Sequence, residues 1–145
     1  MVMNDKTMDG NIIGKVLHID KYDKYIYNQR TQRLIINEIE YLSKFIYYLM
    51  YSPHTRNKIL SIKQGTSQLY INWSQTVNLS LKITKNKQEQ NYIYNLFDNV
   101  KTIISLLQRK LEKLENIKNT LLEKMFASAK SSYPAIRFKG FTNAW

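Results

Sequence analysis

From Gln88 to Phe126 no proline or glycine interrupts the chain. Over that span Ile93, Leu96, Val100, Ile103, Leu107, Leu111, Leu114, Ile117, Leu121 and Met125 recur at spacings of three and four. Such spacing stacks apolar side chains on one face of an α-helix. At 1.5 Å per residue the helix is roughly 55–60 Å long. A small globular body cannot cover that length, so the stripe predicts a helical partner. The residues expected at that seam are Val100, Ile104, Leu107, Leu111, Leu114, Ile117, Leu121 and Met125. Charged flanks suited to a helix–helix seam come from Gln108-Arg109-Lys110-Leu111-Glu112-Lys113-Leu114-Glu115. The helix is expected to stop near Ala127–Ser132, because Pro134 disfavours a helical residue at Tyr133.

The preceding residues change period repeatedly, which predicts an α+β unit. Asp9-Gly10-Asn11 reads as a turn. Ile12–Ile19, Tyr25–Tyr27, Arg33–Ile36 and parts of Ile71–Ile83 read as strands. Between Glu40 and Tyr51 the spacing becomes helical, with Leu42, Phe45, Ile46, Leu49 and Met50 on one face. Ser52-Pro53 predicts a helix restart, with Ser as N-cap and Pro in the first turn, running to about Leu60. Gly65-Thr66-Ser67 marks a loop. Tyr41, Tyr47, Tyr48 and Tyr51 fall at helical spacing, which suits packing better than base stacking.

A length of 145 residues suits one modest domain plus the helix. The formal net charge is +11, and it is spread along the chain. Residues 1–87 hold 13 basic and 6 acidic side chains, and residues 88–145 hold 9 and 5. An excess so distributed favours a polyanion, nucleic acid first and an acidic protein second. There is no cysteine, which removes disulfides, thiolate metal sites and cysteine nucleophiles. No apolar run approaches a membrane span, and the polar start lacks a signal-peptide core. A cytoplasmic protein without membrane contact is the expectation.

Catalysis finds no footing in the residue pattern. Gly10–Lys15 has three residues between its glycines and Val16 after Lys15, so it fails the phosphate-loop spacing. His18 and His54 have no carboxylate or second His at metal-ligand spacing, and no pair suited to acid–base work is apparent. The expectation is a non-enzyme without cofactor or metal. The loop near Gly65 carries a different chemistry. Gln and Asn can bridge adenine in the major groove and Arg or Lys can bridge guanine, while Lys and Arg most often hold phosphates. The candidate DNA contacts are Lys15, Arg30, Arg33, Lys63, Gln64, Ser67, Gln68 and Asn72.

Leu107-Gln108-Arg109-Lys110-Leu111-Glu112-Lys113-Leu114 followed by Leu121-Leu122-Glu123-Lys124-Met125-Phe126 resembles the central conserved helix of type I restriction-modification specificity subunits. Pro134-Ala135-Ile136-Arg137-Phe138-Lys139-Gly140-Phe141 and Trp145 look like the segment that opens that family's second target-recognition domain. Gly10-Asn11-Ile12-Ile13-Gly14-Lys15-Val16, Asn28-Gln29-Arg30, Tyr47–Pro53 and Lys63–Gln68 follow the order of a recognition domain's later part. Lys87-Gln88-Glu89-Gln90 resembles the turn into the helix.

The resemblance implies a non-catalytic subunit. Each recognition domain of such a protein reads half of a split DNA site, and its long helices set the spacing and dock methyltransferase subunits. It also implies three segments: a partial target-recognition-like domain over 1–87, the helix over 88–127, and a linker with the start of a truncated second recognition motif over 128–145. A half-subunit pairing with its twin through an antiparallel coiled coil is the first expectation. The second is an inhibitor or decoy that binds a bacterial defence nuclease or its subunit, a role that the shortened recognition domain favours.

Overall fold

In the computed structural model of the chain, residues 2–4, 8–21, 24–26 and 28–145 are described. The elements run β1 (Val2–Met3), β2 (Thr31–Gln32), α1 (Ser43–Tyr51), α2 (Pro53–Ser61), β3 (Lys63–Gln64), β4 (Tyr70–Ile71), α3 (Trp73–Val77) and α4 (Lys87–Lys124). The protein is therefore a small α+β domain followed by one long helix. The chain forms two compact units, one ending at Asp98 and the other beginning at Asn99.

Two antiparallel ladders supply the β structure of the first unit. β1 pairs with β2 in the register Val2↔Gln32 and Met3↔Thr31, and β3 pairs with β4 in the register Lys63↔Ile71 and Gln64↔Tyr70. An isolated bridge joins Val2 to Val16. The core gathers Val2, Ile13, Val16, Phe45, Ile46, Met50, Ile59 and Ile71. The α1 stripe read from the sequence is the buried one: Phe45, Ile46 and Met50 are covered, and Leu42 and Leu49 pack against them. At the restart, the Ser52 side chain accepts from Thr55 N–H and Pro53 opens α2. Such a cap satisfies one of the donors that every helix start leaves over.

Among the described residues, most of the expected strands are absent. Ile12–Ile13 lies in turns closed by Ile13 N–H to Gly10 O at 3.2 Å and Lys15 N–H to Ile12 O at 3.0 Å, with only Val16 bridged beyond them. The cause is Gly14, whose φ of +67° turns the chain so that its backbone lies against Ile59 of α2. A fully buried Ile13 thus joins the core cluster without being part of a strand. For Arg33–Ile36 the ladder falls earlier, at Thr31–Gln32, and Ile35 is left 76% exposed. Tyr25 and Ile26 are exposed and outside any strand, and Tyr27 lies outside the described residues. The strand expected from Ile71 ends at that residue, because Asn72 caps α3 by accepting from Ser74 N–H at 3.1 Å.

Entry into α4 is built from polar side chains. Asn86 Oδ1 accepts from Gln88 N–H and Glu89 N–H at 2.9 and 3.2 Å. Thr84 Oγ1 accepts from Asn86 N–H at 3.2 Å and donates to Glu89 at 2.5 Å. Lys87–Gln90 is thus the first turn of the helix rather than a turn ahead of it.

In the second unit the helix ends at Lys124, one residue before Met125, the last position of the apolar pattern. Lys124 O, one of the carbonyls that every helix end leaves unpaired, accepts from Ile136 N–H at 2.9 Å. A turn bridging Ser128 and Ser131 reverses the chain. The tail then packs on the last turns of α4, with the Phe126 and Trp145 rings edge to face at 5.7 Å.

Candidate nucleic-acid interface and helix face

Eight residues were expected to touch DNA, and all eight are exposed: Lys15, Arg30, Arg33, Lys63, Gln64, Ser67, Gln68 and Asn72. The backbones of Lys15 and Arg30 meet β1. Met3 N–H donates to Lys15 O at 2.8 Å, Gly14 N–H to Met3 O at 2.7 Å and Asn4 N–H to Arg30 O at 2.8 Å. Lys15 and Arg30 therefore flank the end of β1 on its two sides. Arg33 follows directly after β2.

The other candidates belong to the β3–β4 hairpin and its exit. Lys63 and Gln64 form β3, and Ser67 and Gln68 lie in the exposed connection. That connection requires glycine at position 65, where φ is +94° and an added Cβ would run into Gln68 O. Gln64 Nε2 donates to Gln75 Oε1 at 3.3 Å, which ties the hairpin to α3. Asn72 Oδ1 is taken up as a cap, accepting from both the backbone and the hydroxyl of Ser74. Its amide nitrogen is the end of that side chain that suits a base or phosphate.

Asn4 was not singled out in the sequence, and it joins the two groups. Its Nδ2 donates to Ile71 O at 2.7 Å and its Oδ1 accepts from Ile71 N–H at 2.9 Å. Arg56, also not singled out, donates from Nη1 to Ile13 O at 2.6 Å and braces the turn before Lys15. Neither contact has a local signal, since 67 and 43 positions separate the partners.

Within the first unit, α1 meets the first turns of α4. Gln90 is fully buried. Its Oε1 accepts from Leu42 N–H at 2.8 Å, and its Nε2 donates to Glu40 O at 3.2 Å and Thr84 O at 2.8 Å. Further along, Tyr48 stacks on Phe97 with ring centroids 5.4 Å apart and donates its hydroxyl to Asp98 at 3.2 Å. Burial foremost, then the Asp98 carboxylate, pushes the Tyr48 hydroxyl up to about 12. Tyr51, whose hydroxyl donates to Val16 O at 2.8 Å, is also raised, again chiefly by burial. Tyr47 meets both rings edge to face. These tyrosines pack as the spacing predicted.

Beyond Asp98 the helix presents its apolar stripe openly. Val100, Ile104, Leu107, Leu111, Leu114, Ile117 and Leu121 are each at least 40% exposed. Met125 is half-buried at the tail. There the last turns of α4 and the returning tail enclose an apolar groove of about 710 Å³, lined by Leu114, Ile117, Leu121, Phe138, Phe141 and Trp145 among others and edged by Lys118 and Arg137. Among the described residues no group of three or more His, Cys, Asp or Glu could hold a metal ion. His18 Nε2 sits 3.3 Å from Ser43 Oγ, and His54 is exposed on α2. No helix of the described residues is long and apolar enough to cross a membrane. No family model, curated protein or solved structure matches the chain.

Proposed function

We propose that the protein is a non-catalytic DNA-recognition half-subunit of a type I restriction-modification complex. The observation that carries the reading is the pairing of two features in one chain. A basic α+β unit exposes a short polar hairpin, and the helix leaving that unit exposes an apolar stripe along its distal turns. In this reading Lys15, Arg30, Arg33 and Lys63 hold phosphates, which position the protein on a duplex. Gln64, Ser67, Gln68 and the amide nitrogen of Asn72 touch base edges, whose pattern in the major groove distinguishes every base pair.

The helix does the mechanical work. Its stripe pairs with the same stripe of a second copy, antiparallel, and the pair sets the distance between two half-sites. The assembled seam receives the methyltransferase subunit. The resemblance of the Leu107–Leu114 and Leu121–Phe126 segments to the specificity-subunit helix supports this assignment over other basic helical proteins.

Purified chain, titrated with mixed-sequence duplex at several salt concentrations and then with a methyltransferase subunit, tests the reading. A steep inverse dependence of affinity on salt, with a ternary complex once the methyltransferase is added, is expected. Absence of both, with salt-resistant capture of a defence nuclease instead, would replace this reading by the inhibitor one.

A further inference from the structure

Sheets normally hold binding loops in register through ladder hydrogen bonds, but here the two ladders are separate two-residue pairs. A side chain can then fix the hairpin relative to the segments beside β1 that carry Lys15 and Arg30. Among the described residues, the Asn4 side chain bonds the end of β1 to the hairpin. Its amide donates to Ile71 O and accepts from Ile71 N–H, the reciprocal pair that a neighbouring strand residue would make. The same residue's backbone N–H is held by Arg30 O, and Met3 just before it is held on the other side by Lys15 O. Ile71 is itself buried and opposite Lys63 in the hairpin register. One asparagine thus links the segments that carry Lys15 and Arg30 to the Lys63–Gln68 hairpin.

We propose that Asn4 is a positioning residue that joins these two basic surfaces into one nucleic-acid-binding face. The inference rests on the DNA-binding reading above and adds the device that makes the face continuous. Asn4 acts through Ile71 and the hairpin, and it touches no nucleic acid. Its loss frees the hairpin to move independently, so Lys63 no longer contributes a phosphate contact in step with Lys15.

The test is a salt series of binding by the full chain to a mixed-sequence DNA duplex, in a cycle of Asn4→Ala and Lys63→Ala. Each phosphate contact contributes about 0.9 to the log–log salt slope. Lys63→Ala alone is expected to make the slope shallower by about that amount. Asn4→Ala is expected to do the same, and the double variant to match either single one, while Lys15→Ala keeps its own increment in both backgrounds. A merely structural asparagine would lower the melting temperature yet leave the Lys63 increment intact, and that additive result overturns the inference.

Wild-type chain without salt-dependent DNA binding removes the function and the inference together, whereas normal wild-type binding with additive variants removes the inference alone. Because Asn4→Ala can disturb folding, hydrogen exchange on the wild-type chain supplies a second measurement. Bound duplex is expected to slow exchange in residues 63–71 and in residues 30–33 together, and protection of one segment without the other overturns the inference.

Discussion

Replacing Gln90 by Ala removes a buried amide that completes three backbone groups of the first unit in part-buried hydrogen bonds. Leu42 N–H, Glu40 O and Thr84 O all bond to it, and the side chain is 0% exposed. Leu42 is the residue that opens α1, and no side chain of its own caps that helix. An unpaired buried donor costs about 1–3 kcal/mol, and a carbonyl, with two lone pairs, tolerates the loss better. Adding the vacated volume and allowing a water to enter it, the expected loss is about 2–4 kcal/mol. Against a domain stability of about 5–15 kcal/mol that is a large fraction.

Trp73 packs against the core and reports this unit, so urea unfolding would be followed by its fluorescence in a Trp145→Phe background. The midpoint should fall with the slope unchanged, and melting should drop by about 10 °C or more. A second variant sharpens the argument. Gln90→Glu keeps an acceptor for Leu42 N–H but sets carboxylate oxygens against two carbonyls when ionised. Burial and those carbonyls raise the folded carboxyl above its unfolded value of about 4.3. The folded state then holds the proton more tightly, so stability falls as pH rises above that value. A Gln90→Ala loss below about 1 kcal/mol, or a Gln90→Glu chain as stable as wild type at neutral pH, would refute the view that this amide locks α4 onto α1.

Three other outcomes follow from the same structure. Gly14→Ala places a methyl group against Ile59 in a left-handed conformation; the two penalties together predict a loss of about 3 kcal/mol in urea unfolding. Leu107→Ala with Leu114→Ala truncates side chains that are 60% and 54% exposed; because Ala is the best helix former, circular dichroism should keep its helical signal while light scattering falls from a paired to a single-chain mass, and an unchanged mass removes the helix-pairing argument. The Tyr48 hydroxyl, raised to about 12 by burial and Asp98, should ionise late in a 295 nm titration and the late step should vanish in Tyr48→Phe; since the unfolded value is about 10, its stabilising share is present below that pH and lost as pH climbs through the folded value.

The parts of this fold that were legible in the sequence are those whose cause is local. The α4 stripe repeats over ten apolar positions, so the period speaks before any tertiary contact does. Ser52-Pro53 carries its own cap chemistry, and the α1 face follows from residues three and four apart. The expected strands failed for a stated reason: apolar runs such as Ile12–Ile13 and Leu34–Ile36 are compatible with strands, but a positive-φ turn at Gly14 and pairing that stops at Gln32 assign them elsewhere. Neither decision shows in a window of a few residues. The Gly65–Ser67 loop was readable from its residues, whereas the roles of Asn4 and Gln90 were not, because their partners lie tens of positions away.

Those two hidden residues share a logic. Each is an amide that offers donor and acceptor together to backbone groups, which a carboxylate or an ammonium cannot do. Two-residue ladders leave many backbone groups without a sheet partner, and buried ones must still be paired. A side-chain amide is the smallest device that can substitute for a strand edge at a single point. Gln90 uses it to fasten the helix, and Asn4 uses it to fasten the hairpin. In a unit with this little sheet, the geometry of the candidate face therefore depends on single side chains rather than on a ladder.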